Sequence, residues 1–89
     1  MKVRYEESFL KDLRKLKDER VKQKVRSIIT NIKSASDLES LSGVKKLKSD
    51  RNAYRIRIGD YRLGFYLEND TVDFARFTNR KNIYKKFPK

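Results

Sequence analysis

The stretch YRIRIGDYRLGFYLEND, residues 54–70, alternates apolar residues with arginine, breaks at Gly59-Asp60, and then alternates again. A period of two describes strands with one covered and one open face, and Gly-Asp suits a two-residue hairpin turn. With the turn placed there, Ile58 opposes Tyr61, Arg57 opposes Arg62, Ile56 opposes Leu63, Arg55 opposes Gly64 and Tyr54 opposes Phe65. Opposed residues share a face. Tyr54, Ile56, Ile58, Leu63, Phe65 and Leu67 therefore form an apolar face, and Arg55, Arg57, Arg62, Gly64 and Tyr66 form the other.

Downstream, Asn69-Asp70 is a second turn signal, so residues 53–58, 61–67 and 71–77 read as an antiparallel meander. Upstream, KVRYE at 2–6 alternates and can start the sheet. Ser8 stands where a helix cap belongs, and Phe9, Leu10, Leu13 and Leu16 follow at helical spacing. Asp18 and Glu19 interrupt that pattern and open a second helix, with Val21, Val25, Ile28, Ile29 and Ile32 on its apolar side. Charged residues fill nearly every other position, so the pair should share one apolar seam. Residues 34–50, SASDLESLSGVKKLKSD, read as a connection with a short turn of helix around Leu38 and Leu41. Residues 80–87 read as a short amphipathic helix or an extended tail, closed by Pro88. The expectation is a single α+β domain over residues 1–89: an N-terminal strand, an antiparallel helix hairpin packed on a small antiparallel sheet (β-α-α-β-β-β), and a short C-terminal helix. A chain of 89 residues supports one modest core.

Charge bounds the function. Lys and Arg number 24 against 12 acidic residues, a formal charge of +12. Such an excess repels itself until a polyanion or an acidic partner answers it. Nucleic acid, a ribosome or an acidic protein segment is expected. The basic residues are not gathered on one amphipathic helix, which disfavours a membrane surface. The chain has no Cys and no His. Disulfides, thiolate nucleophiles, Cys- or His-based zinc sites and histidine acid–base chemistry are thereby removed. No apolar run approaches a membrane span, and MKVRYEESF lacks the apolar middle of a signal peptide. A cytoplasmic protein is expected.

Arg57 and Arg62, directly opposed, work against folding. A solvated charge row is the ordinary account of such a face. The alternative is an anion cradle, because the planar arginine fork matches phosphate oxygens, with Gly64 as a clearing and Tyr66 as a surface for an unpaired base. Arg76 shares the parity of Val72 and Phe74 and reaches the arginine face only if a bulge intervenes. Lys45, Lys46 and Lys48 before the hairpin, and Lys81, Lys85 and Lys86 after it, are candidate phosphate contacts or simply solvated cations. Asn79 reads equally as an RNA hydrogen-bonding residue and as a cap before the last helix. Phe87 is expected to pack the tail onto the sheet.

Residues 45–87, KKLKSDRNAYRIRIGDYRLGFYLENDTVDFARFTNRKNIYKKF, resemble the RelE/ParE superfamily of toxin–antitoxin toxins, specifically the RelE-type mRNA interferases. The likeness extends over nearly the whole chain in the order of its elements. It implies ribosome-dependent cleavage of mRNA in the decoding site by 2′-hydroxyl attack on the adjacent phosphate, with no metal or other cofactor. By position, Arg55 and Arg57 match the basic pair of the first hairpin strand, Arg62 the arginine after the turn, Arg80 a late basic residue, and Tyr84 a late tyrosine. Some relatives carry Lys at the positions of Arg55 and Arg57; arginine does not readily act as a base, which assigns these two to phosphate clamping. Many show His-Arg where this chain has Asn79-Arg80, which shifts proton transfer to Tyr84 or to the ribosome. The implied partners are a cognate antitoxin, the ribosome and mRNA. A ParE-like inhibitor of DNA gyrase and a catalytically weakened RNA-binding member are the alternatives.

Overall fold

The computed structural model describes residues 1–48 and 52–88. Strand β1 (Lys2–Tyr5) leads into helices α1 (Glu7–Lys15) and α2 (Glu19–Ser34). Strands β2 (Val44–Lys46), β3 (Ala53–Ile58), β4 (Tyr61–Glu68) and β5 (Thr71–Asn79) follow, and α3 (Ile83–Lys86) closes the chain. The five strands form one sheet in the order β1-β5-β4-β3-β2.

The central hairpin has the expected register, from Tyr54↔Phe65 through Arg55↔Gly64, Ile56↔Leu63 and Arg57↔Arg62 to Ile58↔Tyr61. Gly59 occupies the first turn position at φ 58°, where a side chain is disfavoured. At the next turn Asn69 and Asp70 both adopt positive φ, 51° and 64°, the left-handed conformation these two residue types tolerate. Two features differ from the sequence expectation. The sheet is mixed, because β1 pairs parallel with β5. A fifth strand, β2, pairs antiparallel with β3; at three residues it is too short to show a period.

Helix starts divide the same way. Asp18 caps α2, its side chain accepting from the amides of Arg20 and Val21, which satisfies donors that have no partner within the helix. Ser8 does not cap α1. It lies inside the helix, and its hydroxyl donates to the Ala75 carbonyl at 2.6 Å, tying α1 to β5. Residues 35–43 form turns instead of a short helix, with the Leu41 amide bonded to the Leu38 carbonyl. The last expected residues of that connection, 49–50, lie outside the described residues.

The main core lies between the helices and the apolar sheet face. Phe9, Val25 and Ile32 of the helices meet Leu63, Phe65, Val72 and Phe74 of the sheet, all buried. Burying each large side chain stabilises by about 1.5–3 kcal/mol. A second, smaller core sits on the opposite face, where Leu47, Ala53, Ala75, Ile83 and Phe87 are buried together. It covers one part of the arginine face and leaves the turn end open.

Candidate phosphate-binding site

The hairpin register places Arg57 opposite Arg62, one pair away from Gly59-Asp60. Arg62 is 8% exposed. Its Nη1 donates to the carbonyls of Gly59 at 2.8 Å and Tyr61 at 2.9 Å, which folds the guanidinium over the turn and holds it there. Desolvation, then the neighbouring Arg55 and Arg57 charges, hold its pKa below the ordinary arginine value; Tyr84 opposes them and Arg80 adds to them. Arginine stays protonated in the working range even so. The buried cation is thus surrounded by further cations and one phenol.

Each neighbour arrives by a separate route. Arg55 on β3 donates from Nη1 to the Gly43 carbonyl at 3.2 Å, while its buried Nε has no acceptor among the described residues. Arg80, just past β5, is fixed by its amide donating to the Asp60 carbonyl at 2.8 Å. Tyr84 projects from α3 and is 58% exposed. The sequence thus separates these groups by up to one third of the chain, and the turn end of the sheet gathers them. A cluster of guanidinium donors, two of them held by carbonyls, with an exposed phenol can hold a phosphate and stabilise added negative charge on it.

Other candidates land elsewhere. Gly64 is not an open clearing: a Cβ there would lie 2.6 Å from Phe87 Cδ2. The missing side chain admits an aromatic ring of the protein itself. Tyr66 packs at 4.9 Å between centroids against that same ring. Phe87 holds the tail on the sheet, as the sequence suggests. A bulge does occur, with Gly64 opposite Arg76 and Phe65 opposite Phe74, yet Arg76 is directed to α1. Its Nη2 donates to Asp12 Oδ1 at 3.0 Å and its Nε lies 2.9 Å from Asp12 Oδ2. Asp12 Oδ2 also accepts the Phe77 amide at 2.9 Å.

Asn79 Oδ1 accepts the amides of Lys81 and Asn82, both at 3.1 Å, which closes the turn after β5; the N-cap of α3 is Asn82, without a side-chain cap bond. Lys45 opposes Arg55 across β2 and β3 and so shares its face, whereas Lys46 opposes Tyr54. Lys48, Lys81 and Lys85 are exposed. The alliance of Lys45 with Arg55 depends on β2, and the burial of Arg62 depends on the turn carbonyls. Neither has a signal in residue spacing. Asp12, which organises the end of β5, was equally hidden, as one acid on a mostly charged helix surface.

A family model for the ParE toxin of the type II toxin–antitoxin system parDE matches residues 3–84. The chain is 37% identical over 89 residues to the toxin RelE3 of Methanocaldococcus jannaschii, spanning 99% of this chain and 100% of that protein. Its fold is similar to a chain of the RelB–RelE antitoxin–toxin complex from Methanococcus jannaschii, with a TM-score of 0.82, 33% identity, and coverage of 96% of this chain and 99% of that one. The RelBE2 toxin–antitoxin complex from Mycobacterium tuberculosis is similar at a TM-score of 0.67 and 27% identity, covering 89% and 96%.

Proposed function

This chain belongs to the RelE/ParE superfamily of toxins of toxin–antitoxin systems, and from that premise we propose that it is a RelE-like endoribonuclease cleaving mRNA in the ribosomal A site. The observation that carries the reading is Arg62, buried, with Arg55, Arg57, Arg80 and Tyr84 all near enough to act on its charge. Concentrating like charges costs folding energy, and a phosphate at this place offsets that cost.

In this reading the groups divide the steps of the reaction among them. A ribose 2′-hydroxyl gives up its proton and attacks the adjacent phosphorus, negative charge grows on the non-bridging oxygens, and the P–O5′ bond breaks as the 5′ oxygen takes a proton, leaving a 2′,3′-cyclic phosphate and a 5′-hydroxyl. Arg55, Arg57 and Arg62 donate to the non-bridging oxygens as the charge grows, and Arg80 supports them. Arg62 is already held by two turn carbonyls, so little ordering is left for the reaction itself to impose. The Tyr84 phenol moves the proton, since Asn79 has no proton to exchange and its oxygen serves the turn. The ribosome aligns the hydroxyl with the phosphate. Lys45, Lys46, Lys48, Lys81 and Lys85 meet surrounding RNA phosphates, with Tyr66, Arg76 and Asn79 contributing through the surfaces they hold in place. Cytoplasmic action follows from this target.

Primer extension on a defined message with purified ribosomes tests the reading. Cuts at A-site codons that require ribosomes and disappear with Arg62→Ala support it; intact message at high protein concentration sinks it. An antitoxin is the proposed protein partner, supported by the antitoxin-bound relatives and by the charge of +12. The match to the ParE family model favours a second reading, inhibition of DNA gyrase without catalysis. Trapped gyrase–DNA complexes, with message left intact, would select it.

A further inference from the structure

Helix α2 is densely charged, yet Gln23, Ser27 and Asn31 recur at intervals of four and so lie on one stripe. All three are exposed. Among the described residues none of their side chains makes a hydrogen bond within the protein. Thr30 and Ser34, by contrast, spend their hydroxyls on the carbonyls of Arg26 and Thr30. The stripe lines a groove between α2 and the edge of the sheet. One part, about 370 Å³, is bounded by Gln23, Lys24, Ser27 and the Arg57–Gly59 segment. The adjoining part, about 60 Å³, is bounded by Asn31, Ser42 and Ile56, and Ile28 floors both.

We infer that this groove receives the single-stranded RNA that flanks the phosphate held by the arginine face, with Gln23, Ser27 and Asn31 reading base edges. Three observations select RNA over other occupants. Arg57 and Gly59 both line the groove and both belong to the arginine site, Arg57 by its charge and Gly59 by the carbonyl that holds Arg62, so a strand bound at the site reaches the groove around the hairpin tip. Lys24 and Arg57 are the charged residues of its lining, and no Asp or Glu lines either part among the described residues. Amide and hydroxyl side chains both donate and accept, which is what base edges require, and Ile28 and Ile58 offer an apolar floor for a ring. The inference rests on the arginine face being an RNA-phosphate site, and it adds the place where sequence preference is set.

The test measures binding of fluorescein-labelled short homopolymer RNAs of each base to the unaltered chain and to three variants: Arg57→Ala, Gln23→Ala with Asn31→Ala, and Thr30→Ala. Loss of two hydrogen-bonding side chains is expected to weaken the preferred homopolymer roughly tenfold and to level the differences among bases. Thr30→Ala binds unchanged. If Arg57→Ala weakens binding and the double variant does not, the groove inference fails while the arginine site stands. If neither weakens it, both fail. Hydrogen-exchange protection of residues 23–31 by an acidic protein partner, with none from RNA, would overturn the inference and assign the groove to that partner.

Discussion

Phe87 lies so close over Gly64 that a methyl group at position 64 would come within 2.6 Å of its ring. The contact joins the last turn of the chain to the middle of the central hairpin, and the second core is built around it. Gly64→Ala must push the ring away. Strain of this kind costs about 1–3 kcal/mol, and the C-terminal segment is where it is released. The expected result is a lower urea midpoint with faster proteolysis after residue 80, while the main core stays intact. Unchanged tail proteolysis would show that the ring shifts without undocking.

Asp12 bonds both the Arg76 side chain and the Phe77 amide. Asp12→Ala strips a partly buried guanidinium of its partner and leaves an amide unsatisfied, so destabilisation of about 2–4 kcal/mol is expected by equilibrium denaturation. Adding Arg76→Ala should recover part of the loss in a double-mutant cycle; strict additivity would refute the coupling.

Arg57 faces Arg62 directly. Removing the exposed member of the pair relieves repulsion, so Arg57→Ala should raise stability by a few tenths of a kcal/mol at low salt while lowering message cleavage by about one hundredfold or more. Opposite signs in melting and cleavage identify a functional charge cluster. A loss in both would mean that Arg57 serves the fold.

The depressed pKa of Arg62 has a definite consequence for pH and for anions. Its charged form is disfavoured in the folded state, first by burial and then by Arg55 and Arg57. For a base with a lowered folded pKa, the penalty is fully present below that pKa and disappears only as pH rises through it toward the unfolded value. That window lies above the working range, so between pH 6 and 8 the cost is constant and only an anion relieves it. Thermal melts should therefore rise in phosphate relative to chloride at equal ionic strength, by about 1–2 kcal/mol at saturating anion. Arg62→Ala should abolish the difference.

The proportion of the molecule legible in the sequence tracks the range of the interactions involved. Alternation around Gly59-Asp60 determines the hairpin register, because slipping by one residue would turn Ile56, Leu63 and Phe65 toward water. The apolar spacing of α1 and α2 is equally local, and so is the Asp18 cap. The same alternation places Arg55, Arg57 and Arg62 on one face without reference to any tertiary contact.

Tertiary structure decided what spacing cannot encode. The parallel partnership of β1 with β5 closes over most of the chain length, and β2 is recognisable only beside β3. Whether Arg76 joins the arginine face depends on a bulge and on Asp12, many residues away. Gly64 has the same absence of a side chain whether it faces solvent or a ring, and only the packing of Phe87 distinguishes the two. The sequence by itself determined a hairpin with an arginine face, because backbone periodicity is local. Which arginines are buried, paired or left open was decided by the fold, because burial and charge depend on neighbours brought from far along the chain.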